Sequence, residues 1–199
     1  MLRCLRLIGL AVLALALAGC ATGYLLDNQV QSFSQLQAVP PQPTYRFERA
    51  LSQQGDPNQQ ALEAMADPAL QRAGLRRDDS APRYSVQVLA RVDRILSPYG
   101  DPYWGGWGGW SLGFGGRHGA IGFGAPFPTY ESYWFRRQVS VIVRELSSNR
   151  IVYETHASNE GPLLDSPAVL AAMFDAAMQG FPTPPPGPRR VDINLAARP

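Results

Sequence analysis

Tyr84-Ser-Val-Gln-Val-Leu-Ala-Arg-Val92 is the stretch of this 199-residue chain that decides the fold. Apolar and more polar residues alternate along it, with Tyr84, Val86 and Val88 on one side of the alternation. Successive side chains of a strand point to opposite faces of a sheet. This period of two therefore predicts a half-buried β-strand with one wetter face.

A β-hairpin is predicted further along the chain, over residues 138–157. Residues 134–146 predict one strand, and residues 151–157 predict the strand that returns beside it. Between them, Ser147-Ser148-Asn149 is rich in residues that favour turns. One face of the first strand carries three valines: Val139, Val141 and Val143.

Two helices are predicted from their caps and their spacing. The first begins at Asp56-Pro57, because aspartate is a good N-cap and proline suits a first turn, and it ends near Gly74. Pro68 lacks a backbone N–H, so we expect it to kink that helix or split it in two. The second helix begins at Ser166-Pro167 and ends at Gly180. The apolar positions follow helical spacing: Leu62, Met65, Ala66, Ala69, Leu70 and Ala73 in the first helix, and Leu170, Met173, Phe174, Ala177, Met178 and Phe181 in the second.

Weaker alternation predicts three more strands, at residues 29–35, 44–49 and 191–195. This order of elements predicts a single α+β domain over residues 29–195. We expect an antiparallel or mixed sheet with two helices packed on one face, plus a long Gly/aromatic loop. The Met and Phe stripe of the second helix is expected to be core, and no cofactor is expected.

The N-terminus has the pattern of a secretory signal. Two arginines precede an apolar run, residues 7–18, that is too short to cross a membrane. The run closes with Leu17-Ala18-Gly19-Cys20, which resembles the lipobox of bacterial lipoprotein signal peptides. This resemblance implies that residues 1–19 are removed and that Cys20 carries a diacylglyceryl group. The alternative is an ordinary signal or an uncleaved anchor, with Cys20 incidental.

The same resemblance implies a location. Two or more acyl chains hold a protein firmly on a membrane, whereas one chain binds marginally. Residues 20–28 are then a lipidated tether, and Ala21, where inner-membrane lipoproteins often have aspartate, implies the outer membrane, facing the periplasm. The expected partners are the membrane, through the acyl chains on Cys20, and an envelope protein.

The charge balance argues against a nucleic-acid partner. The chain has 18 basic and 16 acidic residues, and Arg3 and Arg6 lie in the predicted signal, so 16 of each remain. Without a basic stripe, nucleic-acid binding is not expected. Cys4 also lies in the signal, so Cys20 is the only cysteine left and an intramolecular disulfide is excluded.

Residues 99–133, here called the Gly/aromatic insertion, separate the two predicted central strands. Glycine costs about 1 kcal/mol relative to alanine in a helix, and branched apolar residues are too few for an ordinary strand. One hypothesis is a long flexible loop. The other is a surface that contacts the membrane or a partner, since indole rings favour the membrane interface. The candidate contact residues are Trp104, Trp107, Trp110, Phe114 and Phe123.

No catalytic or metal site is expected. Gly109–Gly113 has the spacing of a nucleophile elbow around Ser111, but that motif needs a strand before it and a helix after it. His156 is a conceivable base, with Glu145 or Glu154 to orient it, and the two-residue spacing of Glu154 and His156 predicts that both face the same side. The two histidines of the chain are isolated, whereas zinc needs three or four clustered ligands.

Four segments downstream of the lipobox form a recognisable series. They are Leu70–Leu75 at the helix end, the strand Tyr84–Val92, the strand and turn Val139–Tyr153, and the closing Gly180–Pro182. With the lipobox, this series resembles bacterial envelope lipoproteins that carry the domain of unknown function 4136. The resemblance covers most of residues 29–182 and implies no assigned chemistry and no catalytic residues.

The sequence therefore favours a non-enzymatic, lipid-anchored outer-membrane protein that binds an envelope partner or helps to maintain the envelope. The alternative is a periplasmic carrier of a small lipid or sugar ligand, held in a groove between the sheet and the helices.

Overall fold

The computed structural model describes residues 24–96, 111–116, 119–124, 133–162 and 166–195. A short 3₁₀ turn, Leu51–Gln53, precedes the first helix. The helices are α1 (Pro57–Arg72) and α2 (Ser166–Met178). The strands are β1 (Leu25–Ser34), β2 (Thr44–Phe47), β3 (Arg76–Arg77), β4 (Tyr84–Leu96), β5 (Ser111–Gly116), β6 (Gly119–Gly124), β7 (Tyr133–Glu145), β8 (Arg150–Gly161) and β9 (Arg189–Asn194).

Seven of these strands form one mixed sheet, in the order β3-β2-β4-β7-β8-β1-β9. The short strand β2 runs parallel to β3 and to β4. The pairs β4–β7, β7–β8, β8–β1 and β1–β9 are antiparallel. The fold is therefore α+β, as the sequence predicts.

Both helices cover the same face of this sheet. Helix α1 contacts β4, α2 contacts β1, β7 and β8, and the two helices contact each other. Their surfaces are also joined by an ion pair between Arg72 and Asp175. Neither helix in the described part of the chain is long and apolar enough to span a membrane.

The core lies between the helices and this face of the sheet. Alternate residues of the central strands point into it, which is the arrangement that the period of two predicts. The helices close it with the residues predicted to be apolar and buried, Leu70 and Phe174 among them. The most fully buried apolar side chains include Leu26, Val30, Val86, Val88, Val139, Val141, Tyr153, Met173 and Phe174.

The predicted strands are confirmed, with one difference at the N-terminal strand. Residues 84–92 lie within β4, and residues 138–157 form the β7–β8 hairpin, with a register irregularity between Val143 and Arg144. Strand β1, however, begins at Leu25 and pairs with the edge strand β9. Residues 25–28 are therefore part of the sheet, although we expected them in the tether.

Helix α1 departs from expectation at Pro68. The helix runs unbroken from Pro57 to Arg72 with Pro68 inside it, so the expected split is wrong. The side chain of Pro68 is exposed, and its ring removes only one backbone hydrogen bond near the C-terminal end of the helix. The predicted N-cap is confirmed, since the Asp56 carboxylate accepts a hydrogen bond from the backbone N–H of Asn58 at 2.9 Å.

A matched pair of leucine truncations tests this core. Leu70 is 0% exposed in α1, whereas Leu51 is 86% exposed in the 3₁₀ turn. We expect Leu70→Ala to lower the free energy of unfolding by about 2–5 kcal/mol, because it removes buried methyl groups and leaves a cavity. Leu51→Ala is expected to change it by less than about 0.5 kcal/mol. Urea denaturation measures both, and equal effects of the two substitutions contradict the packing described here.

Candidate functional site

Two features meet at one end of the seven-stranded sheet. Strand β4 ends at Leu96, which pairs with Tyr133 at the start of β7, so the Gly/aromatic insertion is rooted there. The start of β1 lies at the same end, because β1 is antiparallel to β8 and the last residue of β8, Gly161, pairs with Phe135. The hydroxyl of Tyr24 lies beside Gly161, where a Cβ atom would come within 3.1 Å of it.

A buried arginine lies near this end of the sheet, which the sequence did not lead us to expect. Arg137 is 0% exposed. Its Nη1 donates to the Asn159 Oδ1 and to the Phe135 carbonyl oxygen, both at 3.4 Å. Burial lowers the pKa of Arg137, yet arginine keeps its proton in proteins, so a positive charge lies inside the fold.

Part of the Gly/aromatic insertion is a two-stranded ribbon of β5 and β6, so the expectation of a loop throughout is wrong there. The register pairs Leu112 with Phe123, and Phe114 with Ile121. Gly113 pairs with Gly122 between them, so large residues and glycines occupy alternate register positions. This alternation is visible in the sequence and is the signal by which the ribbon is recognisable.

The remaining predicted site residues lie outside the described part of the chain. These are the lipid-attachment residue Cys20 and the contact candidates Trp104, Trp107 and Trp110, together with the predicted signal peptide. Phe114 and Phe123 occupy paired strands of the ribbon. Ser111 is the first residue of β5, so a strand and not a helix follows it, and the nucleophile-elbow interpretation does not hold.

The face of the sheet opposite the helices, here called the open face, carries a chain of three polar side chains. Ser140 of β7 pairs with His156 of β8, and Glu154 lies two residues before His156. The Ser140 Oγ lies 2.8 Å from the His156 Nδ1, and the His156 Nε2 lies 2.7 Å from the Glu154 Oε1. The prediction that Glu154 and His156 face the same side is therefore confirmed. Glu145, the other predicted partner, instead accepts from the Ser148 hydroxyl at 2.8 Å.

The hydrogen-bond partners of His156 favour one tautomer of its neutral ring. An ionised carboxylate only accepts hydrogen bonds, so the neutral imidazole carries its proton on Nε2 and its Nδ1 accepts from the Ser140 hydroxyl. Ser140 lies in the middle of a strand whose neighbours on both sides are paired. The backbone N–H groups there bond within the sheet and do not point at a reacting oxygen, as acyl transfer requires. The arrangement suits cross-strand cohesion.

A cleft of about 520 Å³ lies at the opposite end of the sheet. It lies where β2 ends and the two-residue edge strand β3 stops. Four arginines line it: Arg46, Arg49, Arg77 and Arg144. Sequence reasoning missed this arginine cleft because these residues are far apart in the chain.

The described residues contain no group of three or more histidine, cysteine, aspartate or glutamate side chains placed to hold a metal ion.

The sequence profile of the domain of unknown function 4136 matches residues 28–183. The chain belongs to this family. The match includes both helices and the whole of β4, β7 and β8. The match confirms the predicted domain of unknown function 4136, and it assigns no activity. No curated protein matches the chain.

Solved structures give only distant likenesses. A PDZ-domain protein from Parabacteroides distasonis is 15% identical, with a TM-score of 0.46, and the match covers 90% of this chain and 41% of that one. The chain thus spans about two fifths of that protein. A PelC dodecamer from Paraburkholderia phytofirmans is 10% identical, with a TM-score of 0.47, covering 78% of this chain and 99% of that one. These TM-scores are low, and nothing about the function of this chain follows from them.

The proton positions on the open face are testable by nuclear magnetic resonance. We expect the ¹⁵N shifts of neutral His156 to show the Nε2–H tautomer, because Glu154 accepts from Nε2 at 2.7 Å. Glu154→Ala should let the ring sample both tautomers, whereas Ser140→Ala should leave the Nε2–H form dominant. A dominant Nδ1–H tautomer in the unsubstituted protein contradicts this arrangement.

Proposed function

We propose that this protein is a non-enzymatic lipoprotein of the bacterial outer membrane, anchored through Cys20 and facing the periplasm. In this proposal it binds an envelope partner or the membrane through its Gly/aromatic insertion, and thereby helps to maintain the envelope. The single observation that carries the proposal is the meeting of the insertion and the start of β1 at one end of the sheet.

The placement of β1 supports the anchor. Cys20 precedes the first residue of β1, Leu25, by five residues. Five residues of extended chain reach at most about 18 Å. An acyl group on Cys20 therefore holds this end of the sheet within about 18 Å of the lipid surface.

The same short distance brings the insertion near the membrane. The insertion leaves the sheet after Leu96, at the end where β1 begins. Aromatic residues at a membrane surface bury apolar area while their polar atoms stay hydrated. Trp104, Trp107 and Trp110 are thus the residues we assign to contact with headgroups or with a neighbouring envelope protein.

A periplasmic carrier of a small lipid or sugar is the second candidate. The groove that we expected between sheet and helices is filled by buried side chains, including Val86, Tyr153 and Phe174. The observation that favours a carrier is instead the arginine cleft at the other end of the sheet. Its charge suits a polar ligand better than an apolar lipid chain.

Palmitate labelling of cells tests the anchor directly. We expect label on the unsubstituted protein and none on Cys20→Ala, because only the thiol of that residue is available for acylation. Density fractionation of the membranes should place the labelled protein with the outer membrane. Unlabelled protein that is soluble in the periplasm refutes the anchor and leaves the carrier as the leading candidate.

Deletion of residues 104–123 tests the insertion separately. We expect the deletion to abolish chemical cross-linking to envelope partners. The seven-stranded sheet should stay folded because it lies outside the deleted segment, so circular dichroism should lose only the contribution of the β5–β6 ribbon. A matched control is Leu51→Ser, which changes an 86% exposed apolar residue in the 3₁₀ turn. Unchanged cross-linking after the deletion shows that the insertion is not the contact surface.

A further inference from the structure

The arginine cleft carries a net positive charge although the chain as a whole is nearly neutral. Its lining holds four arginines against two carboxylates, those of Glu48 and Asp79. A third carboxylate, Glu63, bonds to Arg49, so the local excess is one positive charge. Phe47 and Leu146 are the large apolar residues in the lining. A cleft of this composition favours a polar ligand with negative charge.

Arg49 is held in place by buried groups. The side chain of Glu63 in α1 is 2% exposed and accepts from the Arg49 Nε at 2.6 Å and from its Nη2 at 2.5 Å. Gln59, also buried, donates to the Glu63 Oε1 at 3.3 Å. This bonding raises the pKa of Arg49.

The bonding of Arg49 to Glu63 has a consequence for ligand binding. Burying a carboxylate costs free energy, and an ion pair offsets this cost only if its geometry is good. Here the buried carboxylate fixes a guanidinium whose own side chain stays 29% exposed and lines the cleft. The Nη1 of Arg49 makes no bond to Glu63, so it is available to a ligand. A donor that is already ordered loses little conformational entropy when a ligand binds.

The other three arginines also retain donors. The guanidinium of Arg77 lies 5.0 Å from the centre of the Phe47 ring. Its Nε donates to Asp79 at 3.2 Å, so its two terminal nitrogens are available to donate to a ligand. Arg144 donates from Nη1 to the Asn149 carbonyl oxygen at 3.1 Å. Within the described ranges, the side chain of Arg46 makes no hydrogen bond or ion pair.

Strand register places two of these arginines on opposite sides of Ser85. Arg46 of β2 pairs with Ser85 of β4, and Ser85 pairs with Arg144 of β7, so the three stand in one row across the open face. The Ser85 hydroxyl donates to the Glu48 Oε2 at 2.6 Å. The Arg144 Nε lies 3.8 Å from the same oxygen. Glu48 therefore offsets the positive charge of Arg144, and the positive charge of Arg46 remains.

We propose that the arginine cleft binds a small molecule that bears a phosphate or carboxylate group. The guanidinium fork matches the two oxygens of such groups, and charge-assisted bonds of this kind are the strong ones. The volume of about 520 Å³ lies within the usual range of ligand pockets. This inference does not depend on the membrane anchor or on the Gly/aromatic insertion.

The position of the cleft favours a free ligand over the headgroups of an anchoring membrane. Ser85 and Leu96 are eleven residues apart on β4. At about 3.3 Å per residue, the cleft lies roughly 36 Å from the root of the insertion. When the sheet stands upright on an anchor at Cys20, this distance separates the cleft from the bilayer.

Titration calorimetry of the full-length protein in detergent, with glucose 6-phosphate and with inorganic phosphate as probes, tests the site. We expect saturable binding of glucose 6-phosphate that weakens as salt is added. Arg46→Gln should weaken binding by about tenfold, through the loss of a charge-assisted hydrogen bond, and adding Arg77→Gln should weaken it further. The side chain of Arg46 makes no described hydrogen bond or ion pair, so its substitution should leave the thermal unfolding midpoint unchanged.

The matched control is Arg91→Gln. Arg91 is exposed on the open face of β4, six residues from Ser85, and pairs with Asp93. Its substitution removes the same charge about 20 Å from the cleft and should leave binding unchanged. Absence of saturable binding overturns the proposal. So does an equal loss with Arg91→Gln, because general attraction of anions to a basic surface then explains the data.

A vesicle experiment distinguishes the source of the anionic group. Vesicles of phosphatidylglycerol and of phosphatidylcholine are offered as competitors of glucose 6-phosphate. Failure of both to compete supports the cleft as a site for a free anion. Competition by phosphatidylglycerol alone, lost in Arg46→Gln, supports the same cleft with a lipid headgroup as its ligand. Competition by phosphatidylglycerol that survives Arg46→Gln overturns the assignment to this cleft.

Discussion

The antiparallel pairing of β4 with β7 is the interaction on which the rest of the structure depends. It runs from Tyr84 opposite Glu145 to Leu96 opposite Tyr133, and each strand has 13 residues. All other strands of the main sheet are added outward from this pair, and both helices pack on the face that its alternate residues make apolar. Because the pair is long, it separates the two ends of the sheet. The Gly/aromatic insertion leaves at one end, and the arginine cleft opens at the other.

The two faces of the sheet are stabilised by different interactions. The helix-covered face buries apolar residues, and burial of such area is the main source of stability. The open face is not covered by the helices. Polar side chains link its strands through hydrogen bonds, such as those of Ser140 with His156 and of His156 with Glu154. Glu63, a carboxylate on the helix side, is bonded there by Arg49 and Gln59. The buried Glu63 carboxylate adds no apolar packing to the core, but it fixes the position of the Arg49 guanidinium.

Local pattern was enough to predict most of the fold. The alternation of Val86 and Val88, the cap at Asp56 and the helical stripe around Phe174 each reflect a nearby physical cause, so each prediction is confirmed. The ribbon of β5 and β6 was missed because glycine lowers strand propensity, while the cross-strand register that pairs Leu112 with Phe123 is a non-local property. The arginine cleft was missed for the same reason, since residues from Arg46 to Arg144 meet only after the sheet forms. The family match covers residues 28–183 and does not describe these details.

The separation of the two ends sets what each can recognise. In the proposed function, the five-residue spacing of Cys20 and Leu25 keeps the start of β1 close to the lipid surface, and the insertion is rooted at the same end. Aromatic residues, which bind interfaces of many compositions, suit that position. Arginines suit the distal end, where a soluble anion arrives by diffusion and where long-range attraction by a small charge excess raises its local concentration. The stiffness of the paired strands between the ends keeps these two kinds of contact apart, so that contact by the insertion and occupancy of the cleft are compatible at the same time.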